Sequence, residues 1–249
     1  MKLKLKPLFR DHQHYSYRLI MEKQYCLIIH FMRAGKTLPT AKAIKDLNKR
    51  ALVVCPPNVK GVWEEQLRVE GVPPENYFIL SMGLLQRSVP NILFEPEMVV
   101  IDEIHSFANY SNRFKNLKKL IKGVDKRVGL SATPFESDIE NIFYLWQTLD
   151  QGKLLGTNRS AFRETFCDCI NPRSDFPKFK LKAELKGPLL KEINRHASIF
   201  RPKEIRPPKI VEVHHEITDH QRYLLDYVKR EKGIPEACLL YTSPSPRDS

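Results

Sequence analysis

The chain has 249 residues, of which 42% are hydrophobic, enough to build a globular core. Its formal net charge of +12 favours a polyanionic partner such as nucleic acid, although a merely soluble basic surface would carry the same charge. No apolar stretch is long enough to span a membrane, and five cysteines without a disulfide framework favour a reducing, intracellular setting. Cys167 and Cys169 form a C-x-C pair with no matching second pair, so we do not expect zinc.

Short apolar runs alternate with helical stretches along residues 1–150. The apolar runs predict strands at Tyr25–His30, Ala51–Cys55, Tyr77–Ser81, Met98–Asp102 and Arg127–Ser131. The other stretches predict helices at Thr37–Asn48, Val59–Val69, Phe114–Ile121 and Ile139–Leu149. Apolar strands separated by helices favour an α/β fold, with a mostly parallel central sheet flanked by helices. Ligands bind such sheets at the carboxyl ends of the strands.

The pattern is less regular beyond residue 151. It predicts a helix at Glu184–His196, a linker at Lys203–Lys209, a strand at Ile210–Ile217 and a helix at Asp219–Arg230. Residues 238–249 (CLLYTSPSPRDS) follow abruptly and resemble a translated sequencing adapter. We therefore leave them out of the fold and expect the natural chain to be longer, the alternative being a natural Ser/Pro-rich tail.

A Gly-Lys-Thr triplet follows the first predicted strand and opens the first predicted helix. A phosphate site needs backbone amides at a helix N-terminus, a flexible glycine and a lysine that reaches the terminal phosphates. Gly35 and Lys36 supply the glycine and the lysine, and the hydroxyl of Thr37 would hold magnesium. An ordinary capped turn is the alternative interpretation.

Polar residues also end the last two predicted strands. Asp102 and Glu103 are adjacent carboxylates that close an apolar strand, which is unfavourable unless they serve a metal or a proton transfer. A solvated strand end is the alternative. Ser131 and Thr133 place hydroxyls at the end of the next strand, where they could contact the acidic pair, or simply mark the turn at Pro134.

In this order and spacing, the GKT, DEIH and SAT segments resemble the first RecA-like domain of a superfamily-two helicase, most closely the Swi/Snf-like branch of bacteria and phages. The resemblance covers roughly residues 7–230 and implies ATP and Mg²⁺ as cofactors. It implies that Lys36 neutralises the phosphates, that Thr37 and Asp102 hold magnesium, and that Glu103 activates the attacking water.

The resemblance also implies a coupling set that relays the phosphate state to domain closure. This set comprises His105, Ser131, Ala132 and Thr133. For His105, a partly buried histidine with a satisfied ring is the plainer alternative.

Weaker motifs agree with the same family. Arg10 and Gln13 lie in a segment that resembles the glutamine motif, which reads adenine. Pro56, Trp63 and Ser81 lie in segments that resemble strand-contacting motifs near the bound nucleic acid. The plainer alternatives are a helix-surface position for Gln13 and a core position for Trp63.

The phosphate loop departs from the family in two places. Arg33 stands where the family usually has glycine, and His30 stands where a small residue is common. An arginine disfavours positive φ, but its guanidinium could add a phosphate contact. We therefore expect Arg33 and Ala34 to join Gly35 in the ATP-binding loop.

The domain organisation follows from the resemblance. It implies a RecA-like ATP-binding domain over 1–150, a helical or irregular extension over 151–202, and a linker with the start of a second RecA-like domain over 203–237. The second domain supplies arginine fingers in this family, so we expect weak ATP binding and slow hydrolysis from this chain.

The expected partner is nucleic acid and not a membrane. The family branch favours double-stranded DNA and translocation without unwinding, in the cytoplasm of a bacterium or a phage-infected cell. Two alternatives stay open: a non-catalytic nucleic-acid-binding remnant or accessory subunit, and the motor part of a restriction system. A group of lysines could track a nucleic-acid backbone, although a solvated helix face is the favoured interpretation. These are Lys115, Lys118, Lys119, Lys122 and Lys126.

Overall fold

The computed structural model describes residues 9–133, 139–174 and 177–201, which all belong to one compact unit, Met1–Lys203. The helices are α1 Asp11–Glu22, α2 Thr37–Leu47, α3 Lys60–Glu70, α4 Asn112–Leu120, α5 Ile139–Asp150, α6 Arg159–Phe166 and α7 Ala183–Asn194. The strands are β1 Tyr25–His30, β2 Ala51–Cys55, β3 Tyr77–Ser81, β4 Met98–Ile101, β5 Lys126–Ser131, β6 Cys167–Cys169, β7 Phe179–Leu181 and β8 Ala197–Phe200. The strand, helix and tail predicted beyond residue 209 lie outside the described residues.

Six strands form one sheet in the order β3-β2-β4-β5-β1-β8, and every neighbouring pair in it is parallel. Strands β6 and β7 form a separate antiparallel pair. The prediction of an α/β fold with a parallel central sheet is confirmed. The five predicted strands and four predicted helices of residues 1–150 are all present, with ends that shift by one or two residues.

The sheet has a hydrophobic core on each face, because successive side chains of a strand point to opposite sides. Leu27 and Ile29 of β1 belong to the core under α4 and α5. Cys26 and Ile28 belong to the other core, which α1, α2 and α3 cover. All four side chains are at most 3% exposed, which explains why the strand is an unbroken apolar run rather than an alternating one.

One strand from the segment 151–202, which was predicted as a helical or irregular extension, completes the sheet. Strand β8 pairs in parallel with β1 and places Ala197 opposite Leu27 and Phe200 opposite His30. Strand β8 ends at Phe200, three residues before the predicted linker at Lys203–Lys209. Within the described ranges, no helix has the length and apolarity that a membrane crossing requires.

The structure corrects the interpretation of the lysine group. Lys126 opens β5 rather than lying on a helix, is 9% exposed, and donates hydrogen bonds to the carbonyls of Ile20 and Lys23. It is therefore neither a solvated residue nor one that can track a nucleic-acid backbone. Lys118 is half-buried as well, and its Nζ donates to the side chain of Gln147 at 3.1 Å.

Candidate active site

The phosphate loop connects the end of β1 to the start of α2. Arg33 and Gly35 have φ angles of 61° and 79°, so two left-handed residues flank Ala34 and fold the chain back on itself. The amide of Ala34 donates to the carbonyl of Phe31 at 3.1 Å, which closes the turn. Arg33 thus adopts the conformation that glycine favours, which is the strain expected from the departure in sequence.

Lys36 and Thr37 stand at the N-terminus of α2, where amides without intrahelical partners and the helix dipole favour an anion. The ammonium of Lys36 donates to the carbonyl of His30 at 3.2 Å, across the mouth of the loop. Both side chains are partly exposed, so a ligand can reach them. This arrangement suits a bound phosphate group.

Gln13 lies on α1, is only 6% exposed and contacts the phosphate loop directly. Its Nε2 donates to the carbonyl of Gly35 at 3.0 Å, and its Oε1 accepts from the amide of Arg10 at 2.9 Å. A Cβ added to Gly35 would lie 2.6 Å from that Nε2 and would force the Gln13 amide to shift, and the φ of 79° also favours glycine. The helix-surface alternative for Gln13 is therefore excluded, while its role towards adenine, and that of the exposed Arg10, stay predictions.

The acidic pair stands at the carboxyl end of β4. Asp102 is 9% exposed, and its Oδ1 accepts from the amide of Glu103 at 3.0 Å. Glu103 adopts a left-handed conformation with φ of 50°, which turns its side chain away from the strand direction. The Glu103 side chain is 34% exposed, so one carboxylate is enclosed and the other faces solvent.

His105 connects the acidic pair to the end of β5. Its Nδ1 lies 3.3 Å from Oε2 of Glu103 and 3.0 Å from Oγ of Ser131. Ser131 is fully buried, and its Oγ also accepts from the amide of Thr133 at 3.1 Å. These contacts join His105 to Ser131 within the predicted coupling set, while Ala132 is partly exposed and Thr133 is exposed.

The topology explains why residues so distant in sequence converge. Strand β5 lies between β4 and β1, with Ser131 opposite Ile29 and Gly129 opposite Ile101. The carboxyl ends of three adjacent strands therefore meet at one edge of the sheet. Strands β4 and β1, which lead into the acidic pair and the phosphate loop, are two strand spacings apart, or about 10 Å.

The three residues predicted to lie near bound nucleic acid differ in how exposed they are. Pro56 and Ser81 follow β2 and end β3 at the same edge of the sheet, and both are partly exposed. Trp63 is 1% exposed and its Nε1 donates to Oδ2 of Asp102 at 2.9 Å. This burial favours the core position over a direct contact with nucleic acid.

Sequence reasoning did not find a polar cluster beneath the phosphate loop. His30 is fully buried, and its Nε2 lies 3.0 Å from the hydroxyls of both Ser16 and Ser198. Burial, followed by the nearby His12 and Lys36, lowers the pKa of His30 to about 4, so its ring is neutral at neutral pH. The cluster ties α1, β1 and β8 together, and only its long-range contacts reveal it.

The chemistry of the donor set fits a magnesium ion that arrives with a nucleotide. Mg²⁺ favours hard oxygen ligands and usually takes one or two carboxylates, keeps waters, and binds substrate phosphates. Thr37 offers a hydroxyl and Asp102 a carboxylate. Residues 9–133, 139–174 and 177–201 hold no cluster of three or more His, Cys, Asp or Glu side chains that would form an all-protein metal cage.

Parallel sheet, phosphate loop and acidic strand end together define a RecA-like α/β domain. Among solved structures, the chain is similar to the Sulfolobus solfataricus SWI2/SNF2 ATPase core in complex with dsDNA, with 22% identity and a TM-score of 0.61 over 78% of this chain and 44% of that one. A looser likeness links it to the Pyrococcus furiosus Hef helicase domain, with 18% identity and a TM-score of 0.45 over 56% of this chain and 36% of that one.

These likenesses concern the fold. The chain spans less than half the length of either solved structure, at 44% and 36%. No protein-family model and no curated protein sequence matches the chain.

Proposed function

We propose that the chain is the ATP-binding half of a nucleic-acid-dependent motor ATPase of the superfamily-two, Swi/Snf-like kind. One observation carries the proposal: a phosphate loop, an acidic pair and a serine stand at the carboxyl ends of three adjacent parallel strands. His105 bridges the last two, within 3.3 Å of Glu103 and 3.0 Å of Ser131. An ordinary capped turn or a solvated strand end would not require this bridge.

The phosphate loop would bind the triphosphate of ATP. Lys36 would exchange its contact with the carbonyl of His30 for the β- and γ-phosphates, and the amides at the start of α2 would donate to the same groups. Gln13 contacts the loop and would set the distance between the loop and the adenine. Together with Arg10, it would also recognise the adenine base.

The acidic pair would supply the hydrolytic chemistry. Asp102 and Thr37 would hold Mg²⁺, which neutralises charge on the phosphates when it is bound with ATP. Glu103, more exposed than Asp102, would orient the attacking water and accept its proton. His105, within reach of both Glu103 and Ser131, would relay the state of that site to the SAT segment.

Nucleic acid, and specifically double-stranded DNA, is the proposed partner. The net charge of +12 supports a polyanion, since phosphate contacts provide most non-specific affinity. The Sulfolobus ATPase core that shares the fold was solved with dsDNA, which supports DNA over RNA. Pro56 and Ser81, partly exposed at the same edge as the ATP site, are the proposed contacts.

The experiment that tests the proposal is a titration of the chain with Mg·ATP. We expect Lys36→Ala to weaken binding at least about tenfold, since a charge-assisted hydrogen bond to phosphate is worth roughly 1.5–3 kcal/mol. Lys42→Ala, six residues further along α2 and paired with Asp46, is the matched control and should change the affinity less than about twofold. Equal affinities of the two variants would refute the ATP site.

A second candidate is a non-catalytic nucleic-acid-binding subunit, which the net charge of +12 also favours. The two candidates differ in their affinity for Mg·ATP. The ATP-binding half of a motor should bind Mg·ATP with an affinity that Lys36→Ala lowers, even though its hydrolysis is expected to be slow. Unchanged DNA binding in the absence of any Mg·ATP affinity would support the accessory subunit instead.

A further inference from the structure

The chain has two tryptophans, and both are buried but in different ways. Trp63 of α3 is 1% exposed and belongs to the core that α1, α2 and α3 cover. Trp146 of α5 is fully buried in the core on the opposite face of the sheet. Trp63 donates its indole N–H to Oδ2 of Asp102 at 2.9 Å, whereas the N–H of Trp146 has no hydrogen-bond partner among the described residues.

Asp102 receives its protein hydrogen bonds from neutral donors. Its Oδ2 accepts from Trp63, and its Oδ1 accepts from the amide of Glu103. Within the described part of the chain, no lysine, arginine or histidine forms an ion pair with it. The two donors occupy two of about four lone-pair positions of the carboxylate and leave the others for a ligand.

We propose that Trp63 is a positioning residue that fixes the Asp102 carboxylate for the magnesium ion of the nucleotide; the inference rests on the function proposed above. A carboxylate at a strand end can rotate about its last torsion, which has broad preferences. A rigid indole locked in the core removes that freedom. Partners that hold a metal ligand in this way typically change metal affinity about 10–100-fold when they are lost.

The same contact connects α3 to the metal site. Helix α3 begins four residues after Pro56, which lies at the edge of the sheet proposed to face nucleic acid. If nucleic acid binds and shifts α3, the indole N–H of Trp63 would move, and the Asp102 carboxylate would move with it. Trp63 would thus act on Asp102 rather than on the nucleic acid itself. This explains how a residue in a motif that lies near bound nucleic acid can be almost completely buried.

The test compares Trp63→Phe with Trp146→Phe in the full chain. Both substitutions keep an aromatic ring in a buried site and remove an indole N–H, but only the first N–H has a partner. Nucleotide affinity is measured across a Mg²⁺ titration and again in excess EDTA. We expect Trp63→Phe to raise the Mg²⁺ concentration at half-maximal tight binding about 10–100-fold and to leave affinity in EDTA within about twofold. Trp146→Phe should leave both quantities within about twofold.

Two results would overturn the inference. If Trp63→Phe responds to Mg²⁺ as Trp146→Phe does, the indole N–H has no role at the metal site. If Trp63→Phe loses affinity equally with Mg²⁺ and in EDTA, Trp63 only supports the fold. If the wild-type chain binds no Mg·ATP, the proposed function fails rather than this step.

A second measurement does not need the Trp63 variant to fold. In Trp146→Phe, Trp63 is the sole tryptophan, so fluorescence excited selectively at tryptophan reports on the surroundings of Trp63, which include its contact with Asp102. Mg²⁺ added to the ATP-bound chain should shift its emission, and Asp102→Asn in the same background should abolish that shift. An emission spectrum that is blind to Mg²⁺, although binding depends on Mg²⁺, would contradict the proposed positioning.

Discussion

The central sheet has an amino edge, where its parallel strands begin, and a carboxyl edge, where they end. Charged residues have opposite roles at these two edges. At the amino edge, the guanidinium of Arg127 is 3% exposed and donates to the carbonyls of Ile121, Val124 and Thr148, which lie at or near the ends of α4 and α5. At the carboxyl edge, Lys36 has a single carbonyl contact and is partly exposed. A buried charge whose donors bind backbone carbonyls supports the fold, whereas an accessible charge with few partners is available to a ligand.

Strained backbone shows the same contrast. Among the described residues, four non-glycine residues have positive φ. Asn48 and Gln151 follow the ends of α2 and α5, where a left-handed residue commonly terminates a helix. Arg33 and Glu103 stand in the phosphate loop and the acidic turn instead. Strain at the carboxyl edge therefore coincides with the proposed chemistry, while at the amino edge it ends helices.

The largest expected effect comes from a substitution at the carboxyl edge, which should change the rate of ATP hydrolysis but not the stability. Glu103→Gln keeps the size of the side chain but removes the base, and we expect the rate of ATP hydrolysis to fall about 10²–10⁴-fold. Stability should be unchanged, because among the described residues the carboxylate is paired only with His105, which is itself partly exposed. Phosphate release and urea unfolding measure the two quantities on the same preparation.

The matched control for Glu103 is Glu75→Gln, an exposed glutamate in the turn before β3. It should change neither the hydrolysis rate nor the free energy of unfolding. A Glu103→Gln variant that hydrolyses ATP at the wild-type rate would remove Glu103 from the mechanism. It would leave Asp102 as the acidic group to test next.

A large effect on stability alone is expected at the amino edge. Burial lowers the pKa of Arg127 to about 10, which still leaves it charged at neutral pH. Arg127→Met would leave three buried carbonyls without their donor, at a cost of about 3 kcal/mol in the free energy of unfolding. Arg68→Met, whose ion pair with Glu65 is exposed, should cost less than about 1 kcal/mol. Similar losses in the two variants, measured by urea unfolding, would contradict the structural role of Arg127.

Local sequence patterns predicted most of the sheet and the loop. Apolar runs such as Ala51–Cys55 are buried on both faces, so their hydrophobicity alone identifies them. Helix α1 escaped prediction because half of its buried face is polar, with Gln13 and Ser16 beside Leu19 and Ile20. Such a face has no hydrophobic period of 3.6 residues, which is the signal that predicts a helix.

Long-range contacts could not be predicted in the same way. Trp63 and Asp102 lie 39 residues apart, and Ser16 and Ser198 lie 182 apart. Neither β8 nor its register was predicted, because the partner of this four-residue strand depends on the finished sheet. Lysine is a residue type usually found at the surface. Lys126 is buried because the start of β5 packs against the end of α1, where its ammonium donates to backbone carbonyls.

The smallest expected effect tests the strain at Arg33, where the family pattern has glycine. Arg33→Gly should relieve the left-handed conformation and raise the free energy of unfolding by about 0.5–1 kcal/mol, net of the greater freedom of glycine in the unfolded chain. Arg87→Gly is the control, because Arg87 is also exposed but has φ of −94°, so glycine there should lower stability by about 0.5–1 kcal/mol. Opposite signs in urea unfolding support strain at Arg33, and equal signs refute it. If Arg33→Gly is more stable yet binds Mg·ATP more weakly, the guanidinium contacts the phosphates and the strain is retained for function.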